Sequence, residues 1–421
     1  MTQPPPLRVG VLTAGPHPVQ TIYLPSLQAL PSLYTISSIY SATPQPQEPI
    51  PIPPNSGYPP STTSPSTPDT ILNDPTITLI LNFMPNEYHE LYTIAALQAG
   101  KHVMVETPVS LSIPSAKRII EAERDAPNGA KVFVASARRY APCFESVFKK
   151  EVRSLERIHY ARCRMIAGPH VAHTATALRN GGTASSSVDG GLEGILTPSS
   201  RDTDAGRQWG DRDRDRDRDR DRDRTKRLRG LLEEVFGKDE KPSHERMALS
   251  LFLASLGCHD LGLMRDTLGY PDAISNISVN EPFYSALFHY NGGDVVDGIQ
   301  PHPFTLMYEA GTDCVPRCDA QLAVYGQTKT VTVHYDLPYA RGQPVRVVVE
   351  TADERGGLKQ TEAVSTWEEA YQEELKALYA YLVEGKPVKT TAWDSLQDVK
   401  LFQTIFQQYD RQCGTIRTPL G

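Results

Sequence analysis

The turn after the first apolar run of the chain carries residues that could hold a phosphate group. The run LRVGVLTAG spans residues 7–15, and the turn reads TAGPHP. A dinucleotide-binding turn uses three glycines, for the tight turn, for close approach of the backbone to the pyrophosphate and for helix–strand packing. Those positions hold Thr13, Gly15 and Pro18 here, so only the close-approach glycine is present. The turn predicts either a cofactor site at Thr13 and Gly15 or a purely structural strand–helix turn.

The second apolar run ends without the acidic residue that would bind an adenosine ribose. In YTISSIYS, residues 34–41, Tyr40 or Ser41 stands at that position. Because a carboxylate there would repel a 2′-phosphate, its absence favours NADP over NAD. No clear arginine follows to hold that phosphate, since a Pro-, Ser- and Thr-rich stretch begins at once. Ser41 is therefore a cofactor-binding candidate, and the choice between NADP and NAD stays open.

Other clusters of reactive residues point to no further chemistry. His170 and His173 are spaced HxxH, but no third ligand is evident, so we expect no metal site. The 6 cysteines are too few and too scattered for a disulfide scaffold. A net charge of −7 argues against a protein that binds nucleic acid through bulk positive charge.

We also expect no membrane partner. No run of about 20 apolar residues is present, and the N-terminus lacks the pattern of a secretory signal. These features predict a cytoplasmic protein.

Strand-like and helix-like segments alternate through the first 140 residues, and they would position the turn described above. Apolar runs typical of buried strands lie at 7–15, 34–41, 77–85, 102–106 and 131–138, and helical patterns lie at 19–30, 89–99 and 113–126. This alternation predicts a Rossmann-type, doubly wound parallel sheet over residues 1–145, with ligands at the carboxyl ends of the strands. The Pro-rich stretch 43–68 is predicted to be an extended surface loop in this domain.

The second half of the chain has a different pattern. Strand-like runs follow one another without an intervening helix at 157–166 and from 304 to 349. They predict an α+β domain over residues 146–421, built on a large, mostly antiparallel sheet. Helices are expected at 245–268, 367–384 and 395–412, the last of them at a domain interface.

A low-complexity insertion is predicted at 174–230. Clusters of glycine and serine fill its first part, and alternating Asp and Arg occupy 211–224. The alternating run is nearly neutral, so it would act as a solubilising linker or form a helix whose charges pair along its sides.

At residues 95–112 the sequence AALQAGKHVMVETPVSLS resembles the AGKHVxxEKPxA block of the glucose–fructose oxidoreductase and inositol dehydrogenase family (Gfo/Idh/MocA). Pro85, Asn86 and His89 stand at the PxxxH positions of that family. SARRYAPCF at 136–144 is similar to its RRxxP segment, and SLGCHDLGLMRDTLG at 255–269 is similar to its DxGxHxxDxxxxLxG helix. The resemblance covers most of the chain outside the insertions.

The resemblance implies an NAD or NADP cofactor in the first domain and a sugar, polyol or related metabolite at the domain junction. It implies cofactor-binding roles for Pro85, His89 and Glu106. It also places Arg139 near the substrate cleft, with a surface role for Arg139 as the open alternative. It further implies a cis peptide bond before Pro108. Family members commonly associate through the open face of the second sheet, so a homodimer or higher homo-oligomer is expected.

The family's acid–base residues are only partly present. Its Lys, Asp and His positions are occupied by Thr107, Ser255 and His259. The loss of one positioned acid–base group usually removes about 10² to 10⁴ of rate. Thr107 and Ser255 can still orient a substrate by hydrogen bonds, and a histidine with an ordinary pKa of about 6.5 suits proton exchange. His259 is thus the candidate catalytic residue, or else a hydrogen-bonded remnant beside the pocket.

Two functions therefore remain open. The first is an NAD(P)-dependent oxidoreductase that acts on a small metabolite bearing a hydroxyl or a carbonyl group. The second is a catalytically inactive NAD(P)-binding regulator or sensor on the same fold, favoured by the missing Lys and Asp and the incomplete glycine turn. A glycosidase that oxidises its substrate transiently is a third, weaker hypothesis, since it needs the same missing groups.

Overall fold

The computed structural model describes residues 4–14, 22–42, 67–168, 211–238, 242–292, 302–340 and 342–416. In the helix that begins at Asp211, side chains are described from Arg222 onward. Gly15, His170 and His173, most of the Pro-rich stretch and the glycine- and serine-rich part of the second insertion lie outside the described residues.

The first five strands form one parallel sheet in the order β2-β1-β3-β4-β5. Their bounds are β1 Leu7–Thr13, β2 Tyr34–Ser41, β3 Leu79–Phe83, β4 His102–Glu106 and β5 Val132–Ala135. The connecting helices are α1 Leu24–Gln28, α2 Pro68–Leu72, α3 Asn86–Gln98 and α4 Ile113–Arg124. The predicted Rossmann-type sheet is confirmed.

The second sheet has eight strands in the order β13-β12-β11-β10-β6-β9-β8-β7. Their bounds are β6 Ile158–Ala167, β7 Ala273–Asn280, β8 Phe283–Tyr290, β9 Phe304–Thr312, β10 Cys318–Gly326, β11 Lys329–His334, β12 Val345–Ala352 and β13 Leu358–Ser365. The β6–β9 pairing is parallel, and the other pairings in this sheet are antiparallel. The prediction of a mostly antiparallel second sheet is confirmed.

The α-helices described after β5 in the chain are α5 Lys149–Arg153, α6 Asp211–Phe236, α7 His244–Phe252, α8 Cys258–Leu268, α9 Trp367–Val383 and α10 Ala392–Ile416. A single π-helical turn, Leu253–Gly257, joins α7 to α8. The first turn of α9 is fixed by a capping box, in which Thr366 and Glu369 bond reciprocally to each other's backbone N–H.

One continuous helical stretch among the described residues is long and apolar enough to cross a membrane. It runs from His244 to Leu268, and 78% of its most apolar window is buried inside the protein. Such burial is typical of the core helix of a globular domain.

The Asp–Arg run is helical and forms the first part of α6. The end of α6 packs against two other segments through Leu228, Leu231 and Leu232. These leucines form an apolar cluster with Leu111, which precedes α4, and with Ala254 of the π-helical turn. The helical alternative for this run is therefore the one that the structure adopts.

The last two helices return to the first domain and complete its core. On one face of the parallel sheet, α9 packs beside α1, and its buried residues include Leu375 and Leu378. On the other face, the first half of α10 packs beside α4 through Leu396 and Val399. The second half of α10 belongs to the core of the second domain, with Phe402 among its buried residues. The predicted location of this helix at a domain interface is therefore correct.

Candidate functional site

Three of the predicted cofactor residues lie at the carboxyl ends of the parallel strands. Thr13 and Ser41 end β1 and β2 in register with each other. The residues that follow, Ala14 and Ala42, are small, and the Ala42 N–H donates to the Thr13 carbonyl at 2.8 Å. Glu106 ends β4 in the same sheet. This edge fits a dinucleotide, because it combines small neutral residues at β1 and β2 with a carboxylate at β4.

Pro85 and His89 lie at the start of α3, next to the end of β3. Pro85 precedes the first residue of the helix, and His89 is 1% exposed. His89 Nδ1 lies 3.0 Å from the Pro108 carbonyl oxygen, and Nε2 lies 2.9 Å from that of Met84. A neutral imidazole can donate to only one of the two at a time. His89 therefore ties the segment after β4 to the end of β3, and its cofactor role stays a prediction.

Thr107 lies beside the start of α8, the helix that carries His259, at the junction of the two domains. The peptide bond between Thr107 and Pro108 is cis, as the family resemblance implied. The Thr107 carbonyl lies 3.9 Å from Cys258 Sγ at the start of α8, and its N–H donates to Glu106 Oε2 at 3.3 Å. His259 follows Cys258 directly and is 7% exposed. The positions of the family's Lys and His are thus brought together.

Ser255 lies in the π-helical turn ahead of α8. Its hydroxyl is 2.7 Å from the Leu251 carbonyl oxygen and 3.2 Å from that of Phe252. A serine inside a helix commonly satisfies its hydroxyl in this way. The hydroxyl is engaged by its own helix, and the substrate role of Ser255 stays a prediction.

A row of aromatic rings connects His259 to the parallel sheet. The Tyr339 ring meets the His259 ring edge-on, with centroids 6.2 Å apart. The Tyr339 N–H donates to the Tyr371 hydroxyl at 3.3 Å, and the Tyr371 ring meets Tyr23 edge-on at 5.4 Å. Tyr23 stacks on Phe83, at the end of β3, at 4.2 Å. The row fixes the orientation of residues from both domains around one junction.

Tyr339 has an unusual backbone conformation. Its φ is +63°, in the left-handed region that bulky residues rarely adopt. Such strain costs about 1–3 kcal/mol and is found mainly where the surroundings of a functional site enforce it. The conformation supports a role for Tyr339 beside His259.

Two carboxyl groups flank Tyr23 at the same junction. The Tyr23 hydroxyl donates to Glu106 Oε1 at 2.9 Å. Glu374 of α9 is fully buried and accepts a hydrogen bond from the Ser136 N–H. Burial, followed by the charge of nearby Glu106, raises the pKa of Glu374 well above its ordinary value. The pair therefore combines one carboxyl group at the strand edge with one that retains its proton to unusually high pH.

Asp260, the residue after His259, forms a buried ion pair with Arg138. Arg138 Nη1 lies 3.1 Å from Asp260 Oδ1, and the Tyr308 hydroxyl donates to Oδ2 at 3.3 Å. The Arg138 guanidinium also lies over the Tyr335 ring, 4.4 Å from its centroid. Burial raises the pKa of Asp260 to about 6, although Arg138 opposes this shift. These contacts hold α8, and with it His259, against the second sheet.

Arg139 is engaged by carboxylates between the domains. It is 4% exposed and lies 3.2 Å from Asp266 Oδ2 and 2.6 Å from Asp394 Oδ2. Arg265 bonds the same Asp394 at 2.7 Å, which links α8 to α10. In this structure Arg139 joins elements of both domains, and the predicted substrate contact remains untested.

Thr107 and Arg139 also line one small cavity at the domain junction. The other lining residues are mostly polar: Val134, Ser136, Cys258, Gly262, Thr390, Asp394, Ser395 and Asp398. Two of the three predicted substrate residues therefore line the same cavity, and Ser255 is not among its lining residues.

Sequence reasoning missed most of the residues around His259. Glu374 left a signal, because it stands on the apolar stripe of α9 between Tyr371 and Leu378, where a charged residue is rarely found. Tyr339 left none, because nothing in the surrounding DLPYARG marks a positive φ at a tyrosine. Arg138 lies in the segment similar to RRxxP, but the sequence prediction assigned the substrate role to its neighbour Arg139.

Comparisons with known proteins match this geometry. Residues 7–136 match the profile of the Gfo/Idh/MocA oxidoreductase family, described as having an NAD-binding Rossmann fold. The 1,5-anhydro-D-fructose reductase of Ensifer adhaerens is 34% identical over 56 residues, which are 13% of this chain and 17% of the reductase. The alignments span only 17–23% of the length of the curated relatives matched.

Solved structures resemble the whole chain. A biliverdin reductase from Synechocystis, crystallised with biliverdin and NADP⁺, has a TM-score of 0.55 at 16% identity and covers 96% of this chain and 99% of its own. A mutant of a 3-ketoreductase from Actinomadura kijaniata, crystallised with TDP-benzene and NADP, has a TM-score of 0.57 at 14% identity, with coverages of 94% and 96%. At these identities the likeness establishes a common fold over both domains.

Proposed function

Through residues 7–136 the chain belongs to the Gfo/Idh/MocA oxidoreductase family, and from this premise we propose that it is an NAD(P)-dependent oxidoreductase of a small metabolite. The substrate would carry a hydroxyl or a carbonyl group, as in a sugar or polyol. The observation that carries the proposal is the position of His259, which is 7% exposed and directly follows Cys258, whose Sγ lies 3.9 Å from the Thr107 carbonyl oxygen after β4.

The cofactor would lie along the carboxyl edge of the parallel sheet and would accept or supply the hydride. Thr13 and Ser41 would contact its adenosine half, since they end β1 and β2. Glu106 would contact its nicotinamide half. Its Oε1 is already oriented by the Tyr23 hydroxyl, so the carboxylate is held in position before the cofactor arrives.

His259 would take the proton from a substrate hydroxyl as that group is oxidised, and would return it in the reverse direction. The edge of the Tyr339 ring restricts rotation of the imidazole. The Asp260–Arg138 pair fixes the helix that carries it. Thr107 would hydrogen-bond the substrate but would not change charge near neutral pH.

The test combines a substrate screen with a matched pair of variants. Purified protein is incubated with sugars and polyols, and formation of NADH or NADPH is followed by absorbance. We expect His259→Ala to lower kcat at least tenfold on any substrate found, and circular dichroism should show that the variant is still folded. The control, His244→Ala, removes a histidine of α7 whose side chain is 56% exposed, and we expect unchanged kinetics. Equal turnover in wild type and His259→Ala would remove His259 from the mechanism.

The state of Ser255 favours a second candidate, a catalytically inactive NAD(P)-binding regulator. Its hydroxyl is engaged by its own helix, and the neighbouring lysine position holds Thr107. Both candidates predict cofactor binding, but only the oxidoreductase predicts turnover that depends on His259. Tight cofactor binding without turnover across the screen would favour the regulator.

A further inference from the structure

The end of the Asp–Arg run carries an excess of positive charge. Residues 222–229 read RDRTKRLR, with five basic side chains and one carboxylate. The positive charges of this segment are therefore no longer balanced by neighbouring aspartates, and α6 begins to pack on the first domain at the same place. A local net charge of this sign attracts phosphate groups.

The position of this segment is fixed by two sets of contacts. Leu228, Leu231 and Leu232 pack into an apolar cluster with Leu111. At the end of the helix, Glu234 Oε1 accepts a hydrogen bond from Arg118 of α4 at 2.7 Å. The basic residues are thus held at a defined place near the N-termini of α3 and α4.

Arg227 is a basic residue of this segment that lies over an aromatic ring of the first domain. Its guanidinium lies over the Tyr88 ring of α3, 5.3 Å from the centroid. Its Nε donates to Asp223 at 2.8 Å, and the Tyr88 hydroxyl donates to the same carboxylate at 3.1 Å. Arg224 is instead bonded to Glu87, whose side chain is 5% exposed. A guanidinium has five N–H donors, so the Asp223 bond leaves Arg227 capacity for an anion.

Arg227 lies near the end of β2. Tyr88 stacks on Tyr92 with ring centroids 5.9 Å apart. Both rings pack against the apolar cluster that also receives Tyr40 and Ala42, the residues on either side of Ser41. Burial raises the pKa of Tyr92 to about 12, with a smaller contribution from Tyr40 and an opposing one from Arg227. Tyr40, near the end of β2, and Arg227 are therefore both close enough to Tyr92 for their charges to act on it.

We propose that Arg227 of the inserted helix binds the 2′-phosphate of NADP and makes the protein selective for NADP over NAD. The inference rests on the proposed function, since it assigns a residue to the adenosine end of that cofactor site. The residues at the end of β2 are neutral, so they present no carboxylate against the phosphate. A planar guanidinium suits bidentate recognition of phosphate, and its stacking on Tyr88 holds it in place.

The test measures binding by isothermal titration calorimetry on the full-length protein, with two fragments of the cofactor as probes. Adenosine 2′,5′-bisphosphate carries the 2′-phosphate, and adenosine 5′-monophosphate lacks it. We expect wild-type protein to bind the bisphosphate at least tenfold more tightly. Arg227→Met should reduce that ratio about tenfold while its affinity for the monophosphate stays within twofold, because a charge-assisted hydrogen bond is lost. Arg227→Lys should give an intermediate ratio.

The control is Arg229→Met, which removes the same charge from an exposed position two residues further along α6. It should leave both affinities unchanged, and circular dichroism should show that all variants are folded. Equal wild-type affinity for the two fragments would overturn the inference and leave the proposed function standing. An equal loss in the two arginine-to-methionine variants would also overturn it, since it would indicate general electrostatic attraction. Failure of NADPH and NADH alike to bind would overturn the proposed function itself.

Discussion

At the scale of single residues, the domain junction concentrates carboxyl groups in an unusual environment. Glu374 is fully buried beside Tyr23, with Glu106 close enough for its negative charge to act on it. A buried carboxylate without a cation partner is costly, so such a group stays protonated instead. Glu374 can therefore donate a hydrogen bond from inside the core, which an ionised carboxylate cannot do.

This state makes stability depend on pH with a defined sign. The pKa of folded Glu374 is raised above its unfolded value, so its contribution is fully present below the unfolded pKa and is lost as pH rises through the folded pKa. We expect Glu374→Gln, which keeps a neutral group, to gain stability relative to wild type as pH rises. The gain should be about 1.4 kcal/mol per pH unit between the two pKa values.

Urea denaturation between pH 5 and 9 measures this gain. The control is Glu373→Gln, the preceding residue, whose side chain is 43% exposed and pairs with Lys376. An exposed pair of this kind contributes about 0–1 kcal/mol, so its variant should follow wild type at every pH. A stability difference for Glu374→Gln that does not change with pH would mean that Glu374 is ionised in the folded protein.

At the scale of elements, a buried ion-pair network joins the end of the first domain to α8 and α10. Arg139 bonds Asp266 of α8 and Asp394 of α10. Removing one partner of a buried pair usually costs about 3–5 kcal/mol, because it leaves uncompensated charge. We expect Arg139→Met to lower the free energy of unfolding by that amount at pH 7. Arg153→Met, at an exposed position in α5, should change it by about 0.5 kcal/mol or less.

The contribution of this network to stability is expected to be lost in acid. Burial opposes ionisation of Asp266 and Asp394, yet the arginines and lysines around them lower the pKa of both carboxyl groups below the ordinary value. Their contribution is therefore present above the unfolded pKa and is lost as pH falls through the folded pKa. The difference between wild type and Arg139→Met in urea denaturation should shrink below about pH 4. A difference that persists unchanged at pH 3 would show that packing, rather than charge, accounts for it.

The sequence predicted the elements better than their contacts. Continuous apolar runs such as ITLILNFMP identified the parallel strands, because a strand that is buried on both faces carries apolar residues at successive positions instead of alternating with polar ones. The same logic could not decide whether the Asp–Arg run was helical, since its stability as a helix depends on the leucines beyond it. Within the site, motif spacing located Thr107 and His259. Tyr339 and Tyr371 could not be found, because long-range packing brings them to that junction.

At the scale of the whole molecule, the two domains share their cores. Helices α9 and α10 follow the second sheet in the chain, yet they cover the two faces of the first. The second half of α10 then returns to the core of the second domain. We therefore expect that the first domain cannot unfold while the second stays intact. The predicted boundary at residue 145 separates the two sheets.

This sharing predicts that the two sheets unfold together. Leu375 of α9 is fully buried against the parallel sheet, so Leu375→Ala should cost about 2–5 kcal/mol. We expect native-state hydrogen exchange to show that the amides of β3 and those of β11 lose protection by the same amount, although α9 covers only the first sheet. The exposed Leu358 of β13 provides the control, and Leu358→Ala should change neither strand. Loss of protection confined to β3 would show that the two domains unfold independently. In that case α10 would connect two cores without coupling their stability.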